Sequence, residues 1–251
     1  MEKTDAKQFR FGLLGKNISY SFSRGYFSTK FSELKLPNYS YENFDLQDIS
    51  EFTEVLKDVG NLTGLNVTIP YKETIIPYLT ELEPSALEIG AVNTIKISGT
   101  GLKGYNTDAY GFQKSIEPYL KKHHTKALIL GTGGASKAIA YVLKKLEIDF
   151  TFVSRTAKNN GYTYESLDQK IMESHSVIIN CSPLGTFPNI TEKPKLPYEY
   201  ITQKHLLFDL IYNPEKTAFL DHGEAKKATV LNGLRMLELQ AEKAWEIWNE
   251  K

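Results

Sequence analysis

The sequence predicts an α/β fold in two domains, and three observations carry that expectation. Short apolar runs of strand length alternate with amphipathic helical stretches, the pattern of mainly parallel sheets covered by helices. A glycine-rich turn, Gly131-Thr-Gly-Gly134, stands between such a run and such a helix just past the midpoint. Shortly before it the polar run Lys121-Lys-His-His-Thr125 breaks the alternation and reads as a domain junction. A chain of 251 residues is long enough for two moderate domains.

In order, Phe9 to Gly15 reads as a first strand and a helix follows around Phe27, Phe31 and Leu34, closed by Pro37. Tyr39 to Phe44 alternates like a strand. Leu46 to Val59 has helical spacing, with Gly60 as its stop, and Leu62 to Thr68 is the third strand. Tyr71 to Leu79 reads as a short helix. Val92 to Ile97 and Leu102 to Tyr105 flank Ser98-Gly-Thr-Gly101 as a hairpin. Asp108 to Tyr119 is helical in pattern. Strands are expected at Ala127 to Leu130, Phe150 to Val153, Ser176 to Asn180, Leu206 to Leu210 and Thr229 to Leu231, with a helix over Lys216 to Lys226. The last stretch, Leu234 to Asn249, carries Leu234, Leu237, Ala241, Trp245 and Trp248 as one apolar stripe.

Composition narrows the class. The formal net charge is zero, so no basic field points to nucleic acid or to an anionic membrane. One cysteine, Cys181, allows no internal disulfide and fits a reducing compartment. Met1 to Gln8 has no apolar signal core, and no apolar run reaches the length of a membrane span. The expectation is a soluble, cytoplasmic protein with no nucleic-acid or membrane partner.

The glycine turn has a chemical meaning. The first N–H groups of a helix lack internal partners, the helix dipole favours an anion there, and glycines let a phosphate approach the backbone. Gly131, Thr132, Gly133, Gly134 and Ala135 follow an apolar strand and open a helix with Ile139, Val142, Leu143 and Leu146 inward, as a dinucleotide fingerprint requires. Ser136 stands where the third glycine is usual. About twenty residues on, an NAD site places a carboxylate for the ribose hydroxyls. Here Ser154-Arg155-Thr156, with Lys158 nearby, offers a guanidinium and hydroxyls suited to a ribose 2′-phosphate, which favours NADP(H) over a plain solvated basic loop.

Other polar clusters have two readings each. Along Gly64-Leu-Asn-Val-Thr-Ile-Pro-Tyr-Lys72, Asn66 and Thr68 share one strand face, and Lys72 lies near the strand's carboxyl end. Lys72 reads from the residues alone as an ordinary surface lysine. Ser19-Tyr-Ser-Phe-Ser23 can face a polyhydroxylated ligand or cap a helix, and Asn93-Thr94 and Asn106-Thr107-Asp108 have the composition of turns. No histidine has metal-ligand spacing, and Cys181 follows a strand in an apolar setting as a structural thiol.

Taken together the motifs resemble those of the shikimate dehydrogenases over nearly the whole chain. Asn66-Val-Thr-Ile-Pro-Tyr-Lys72 is similar to N-V-T-x-P-x-K, Gly90-Ala-Val-Asn-Thr94 to G-A-x-N-T, Asn106-Thr107-Asp108 to N-T-D, and Gly131 to Ser136 to G-x-G-G-A-x. Ser154-Arg155-Thr156 resembles N-R-T, Asn180 to Gly185 resembles N-x-[ST]-x-x-G, Asp209 to Tyr212 resembles D-x-x-Y, and Gly233 to Ala241 resembles G-x-x-M-L-x-x-Q-A. The first segment departs from the family's G-x-P-x-x-H-S-x-S-P at Asn17, Tyr20 and Arg24 but keeps Ser21 and Ser23. The later arginine of the N-R-T loop is replaced by Asn159.

The resemblance implies an N-terminal α/β substrate domain (1–108 with 234–251), a Rossmann-type NADP-binding domain (109–233) and a cleft between them. It implies Lys72 and Asp108 as the catalytic pair. It gives Ser21, Ser23, Asn66, Thr68, Asn93, Tyr212 and Gln240 to the substrate, and Ser182, Leu210, Gly233 and Met236 to the cofactor beside the glycine and arginine loops. No metal is implied. The implied activity is NADP-dependent interconversion of 3-dehydroshikimate and shikimate in chorismate and aromatic amino-acid biosynthesis, by a monomer or homodimer. A quinate/shikimate dehydrogenase using NAD, and a non-catalytic nucleotide-sensing module of the same fold, are the alternatives.

Overall fold

The computed structural model describes residues 7–19, 21–57, 61–156 and 161–250. The chain divides into two compact units, Met1–Thr107 with Ala241–Lys251, and Asp108–Gln240.

The first unit contains β1 (Phe9–Gly15), α1 (Phe22–Glu33), β2 (Tyr39–Asp45), α2 (Phe52–Lys57), β3 (Leu62–Val67), β4 (Glu81–Leu82), α3 (Pro84–Ile89), β5 (Thr94–Ser98) and β6 (Gly101–Tyr105). They form a mixed sheet in the order β2-β1-β3-β5-β6-β4, parallel across β2, β1 and β3 and antiparallel where β5 meets β3 and β6. Side chains alternate between faces along a strand, so β1 sends Leu14 to one side and Phe11 and Leu13 to the other. Leu14 joins Phe52, Leu65, Val67 and Ile75 in one core. Phe11 and Leu13 join Phe27, Phe31, Tyr41 and Trp248 in a second, strongly aromatic one. Trp248 donates its indole N–H to Ile95 O at 3.0 Å and lies so close to Gly64 that no larger residue fits there.

Two expected helices differ. Leu46 continues out of β2, its N–H bonded to Gly15 O, and helical turns begin only with a 3-10 helix at Ile49–Glu51 that leads into α2. The start is set by a capping box: Asp48 accepts from Ser50 N, and Glu51 reaches back to Asp48 N at 2.9 Å. The expected end at Val59 and Gly60 lies outside the described residues. Residues 71–79 form turns with one 3-10 helix, Ile76–Tyr78. Pro77 removes the donor that a regular helix would need and clashes with the preceding turn.

The second unit runs from α4 (Thr107–Ile116), whose first residue belongs to the first unit, through β7 (Lys126–Leu130), α5 (Gly134–Lys145), β8 (Asp149–Ser154), β9 (Tyr162–Thr163), α6 (Gln169–Ser174), β10 (Val177–Asn180), β11 (Leu206–Asp209), α7 (Ala218–Ala225) and β12 (Thr229–Leu231) into α8 (Leu234–Asn249). All strands are parallel, in the order β9-β8-β7-β10-β11-β12. This is the doubly wound order of dinucleotide-binding sheets, and its direction of winding reverses between β7 and β10. Leu128, Leu130, Ile178, Leu207 and Phe219 form its core.

The run Lys121–Thr125 is not the junction. It is a turn of the second unit: Lys121 N donates to His124 Nδ1 at 3.0 Å, His124 Nε2 bonds Lys204 O at 3.1 Å, and Asp149 N bonds Thr125 O at 3.0 Å. Its charges are the solvated side of that turn. The chain passes between units instead at Thr107–Asp108, and again at Gln240–Ala241 inside α8, later in that helix than the resemblance implied. The reason is packing, since Ala241, Ala244, Ile247 and Trp248 belong to the aromatic core of the first unit.

Candidate functional site

In the first unit the polar motifs converge at one end of the sheet. Val67 N bonds Asn93 O at 2.8 Å and Val92 N bonds Lys72 O at 2.7 Å, so the segments after β3 and before β5 are stitched together by their backbones. Thr107 N donates to Asn93 Oδ1 at 2.6 Å, and Asn93 Nδ2 donates to Thr107 Oγ1 at 3.0 Å. The backbone of Lys72 is thereby bonded directly to the Val92–Asn93 step, and Thr107, the residue before Asp108, is bonded to it through the Asn93 side chain. Asn93 is 3 % and Asp108 7 % exposed, whereas Lys72 is half-buried.

Asn66 is fully engaged. Its Oδ1 accepts from Tyr41 Oη at 2.7 Å, and its Nδ2 donates to Asn93 O at 3.3 Å and Thr94 Oγ1 at 3.2 Å. Thr68 is half-buried, its methyl against Gly15. Ser23 is buried. The Ser21 hydroxyl is buried and has no protein partner. A buried unsatisfied hydroxyl costs free energy that a ligand atom would return. Ser21 is the N-cap residue of α1, yet its side chain makes no capping bond. Of the alternatives open to the serine segment, the cap is therefore not the one Ser21 adopts.

In the second unit the site is made mostly of backbone. Gly131 has φ +108, a conformation closed to other residues at ordinary cost, and the loop after β10 packs against its α-carbon at Cys181 and Ser182. Gly133 is the N-cap of α5, makes no side-chain cap bond, and has open space where a side chain would start. No acidic residue occupies the first turn. Ser136 is 1 % exposed and donates to Gly133 O at 2.7 Å, so the residue at the third glycine position tightens the turn. Thr132 is exposed, and Gly134 and Ala135 are half-buried.

The loop after β8 holds Ser154, whose hydroxyl donates to Thr156 O at 2.6 Å, and leaves Arg155 exposed. Lys158 lies outside the described residues. Ser182 donates to Asn180 Oδ1 from both N (3.0 Å) and Oγ (2.6 Å). Leu210 N bonds Asn180 O at 3.0 Å, and Gly233 packs directly on the Leu210 carbonyl, where no side chain would fit. Met236 and Gln240 are each 7 % exposed, and Tyr212 is half-buried.

Asp209 supports this loop from beneath. It is fully buried and accepts from Thr217 Oγ1 (2.6 Å), Asn180 Nδ2 (3.0 Å) and Ile211 N (3.1 Å). Burial pushes its carboxyl up to about 6 despite those three bonds. Burial also raises the Cys181 thiol well above its ordinary value, which agrees with an inert side chain. Among the described residues no group of three or more His, Cys, Asp or Glu is placed to hold a metal ion, and no helix is long and apolar enough to cross a membrane.

Two participants have no motif to announce them: Tyr41, in the middle of β2, and Thr217, the N-cap of α7 that bonds Asp209. The only signal for Tyr41 is a hydroxyl-bearing ring at a core-facing position.

Residues 13–95 match the family model described as the shikimate dehydrogenase substrate binding domain. The chain is 36 % identical over 248 residues to a shikimate dehydrogenase (NADP(+)) of Clostridium botulinum, covering 94 % of this chain and 95 % of that protein. A crystal structure of a shikimate dehydrogenase in complex with NADP+ superposes with a TM-score of 0.86 at 32 % identity, covering 98 % of this chain and 91 % of the other. The Thermus thermophilus enzyme, solved with NADP(H) and shikimate, gives 0.85 at 29 % identity over 96 % and 94 % of the two chains. With a near full-length relative at this identity and the polar clusters gathered as the motifs require, the chain belongs to the shikimate dehydrogenase family.

Proposed function

We propose that this protein is an NADP-dependent shikimate dehydrogenase that reversibly reduces 3-dehydroshikimate to shikimate. The observation that carries the reading is the joining of Lys72 and Thr107, the residue before Asp108, to the Val92–Asn93 step by hydrogen bonds. Proton chemistry needs an acid and a residue to orient it, both on rigid backbone.

The second unit fits the nucleotide. Gly131 and Gly133 leave a backbone cradle at the start of α5, no acidic residue of that turn opposes a diphosphate, and Arg155 is exposed where a ribose 2′-phosphate would sit. NADP(H), when bound, supplies or receives the hydride at the substrate carbon.

The remaining steps belong to this chain. As the substrate carbonyl is reduced, negative charge grows on its oxygen, and the Lys72 ammonium donates a proton there; in the oxidation direction the neutral amine takes it back. Asp108 orients Lys72 and accepts from a substrate hydroxyl. Ser21 meets the substrate with a buried hydroxyl that lacks a protein partner. Ser23, Asn66, Thr68, Asn93, Tyr212 and Gln240 complete the substrate set, and Ser182, Leu210, Gly233 and Met236 line the cofactor side with Gly131 to Ala135 and Ser154 to Thr156. A role in aromatic amino-acid biosynthesis and a cytoplasmic location, as a monomer or homodimer, complete the proposal.

The test is the growth of reduced-nicotinamide absorbance with purified protein, shikimate and NADP+, run beside NAD+ and quinate. Preference for NADP+ and shikimate is expected. No turnover with either cofactor would sink the reading.

A further inference from the structure

We infer that Tyr41, a residue outside every motif named above, is a positioning residue for the substrate site, holding the Asn66 amide through its phenol. The inference rests on the reading of that site as the shikimate site.

The hydrogen bonds determine their own directions. Asn93 O can only accept, so the nitrogen of the Asn66 amide is on that side and its oxygen faces Tyr41. Tyr41 must then donate its proton to Asn66 Oδ1, at 2.7 Å. From Asn66 the chain continues through Thr94 Oγ1 to Thr107 Oγ1 at 3.2 Å, and Thr107 is bonded to Asn93. One buried network thus joins Tyr41 of β2, the Asn66 strand, Asn93 and the residue before Asp108.

Tyr41 is suited to this. It is 5 % exposed and stacks on Phe27 with ring centroids 4.7 Å apart at 12°, so the ring stays in place if only the hydroxyl is lost. Burial pushes its ionisation well above the ordinary phenol value, and the phenol remains a donor at every working pH. Among the described residues, Tyr41 is the hydrogen-bond donor to Asn66 Oδ1. Without the phenol the amide loses the partner that fixes its orientation.

The experiment is Tyr41→Phe, assayed well below the melting temperatures of both proteins. The expected result is a rise of about tenfold in KM for shikimate, with kcat and KM for NADP+ within about twofold of the parent. In an Asn66→Ser background the same change should add less than about twofold, because the two act as one unit. A shikimate KM unchanged or lowered by Tyr41→Phe, whatever happens to the melting temperature, overturns the inference. So does a full tenfold effect in the Asn66→Ser background. A readout independent of the reaction is the Asn66 side-chain amide pair in a nitrogen–proton spectrum of the free protein, assigned with Asn66→Ser. Tyr41→Phe should shift or broaden it, and an unmoved pair overturns the inference even if the protein proves to act on another substrate.

Discussion

The two units offer their ligands different kinds of polar group. In the first, the polar groups are side chains: Tyr41, Asn66, Asn93, Thr94 and Thr107 are buried and cross-bonded, and they come from four segments of chain. In the second, they are backbone groups: Gly131 and Gly133 expose the start of α5, and the buried Asp209 braces the adjoining loop. A polyol asks for donors and acceptors at particular points, which only a rigid side-chain network supplies. A diphosphate asks for concentrated positive potential, which a helix start supplies with no side chain at all. Substitutions should therefore divide cleanly between substrate and cofactor parameters.

The largest effect tests the chemistry on the first side of that division. Lys72→Ala should lower kcat by roughly 10²- to 10⁴-fold with little change in the shikimate KM, because it removes the proton donor and not a major binding contact. A large KM rise with kcat intact would reassign Lys72 to binding. Next is Gly133→Asp. The position has open space and Asp is a favoured N-cap, so the fold should keep or slightly raise its melting temperature. The carboxylate would stand where the diphosphate binds, and KM for NADP+ should rise on the order of 100-fold while that for shikimate stays put. Equal rises in both constants would break the side-chain/backbone distinction.

Ser21→Ala should be milder. Its hydroxyl has no protein partner, so the melting temperature should hold while the shikimate KM rises roughly five- to tenfold, the worth of one hydrogen bond. A clear loss of stability instead would mean that the hydroxyl is satisfied within the fold.

The smallest effect concerns the second unit. His124 and His175 are buried, and burial lowers the ionisation of each below the ordinary value of 6.5. Unfolded, these groups take up protons as the pH falls through 6.5; folded, they resist. Their contribution is fully present above 6.5 and is lost as the pH drops toward the folded values. Asp209, raised to about 6, acts oppositely, since the folded state takes up its proton first and gains stability as the pH falls through 6. His124→Asn isolates one side of this balance. Thermal melts should show the variant a few degrees below the parent at about pH 7.5 and the gap closing by about pH 5.5. A gap that stays constant would show that His124 does not titrate differently on folding.

The same division governs what the sequence made legible. The strand–glycine–helix unit at β7 and α5 was readable because each part obeys a local rule: apolar run, glycine where φ is positive, helical spacing after it. Lys72 was not readable by such rules; as an isolated lysine beside a proline it looks like surface, and only its company in the family motif raised it. Tyr41 escaped both routes, because its hydrogen-bond partner, Asn66, is distant in sequence. Among the elements, β9 and α6 are too short to show a period, and α3 at Pro84–Ile89 is a brief turn of helix capped by Glu83. The polar run at Lys121–Thr125 misled because charge marks solvent and not a boundary. Its buried member, His124, was the one residue that belonged inside.

The way the chain enters its units has a consequence for its making. Asp108–Gln240 is contiguous, so the all-parallel sheet has every strand it needs before synthesis ends. The first unit does not: Phe11, Phe27, Phe31 and Tyr41 emerge early, but Ala241, Ala244, Ile247 and Trp248 of the same core come from the last helical turns. On the ribosome the earlier-born half must wait with an aromatic face uncovered while the later-born half can already close. The core of the first unit stays open until residues 241–248 have emerged, so it is the later of the two to close.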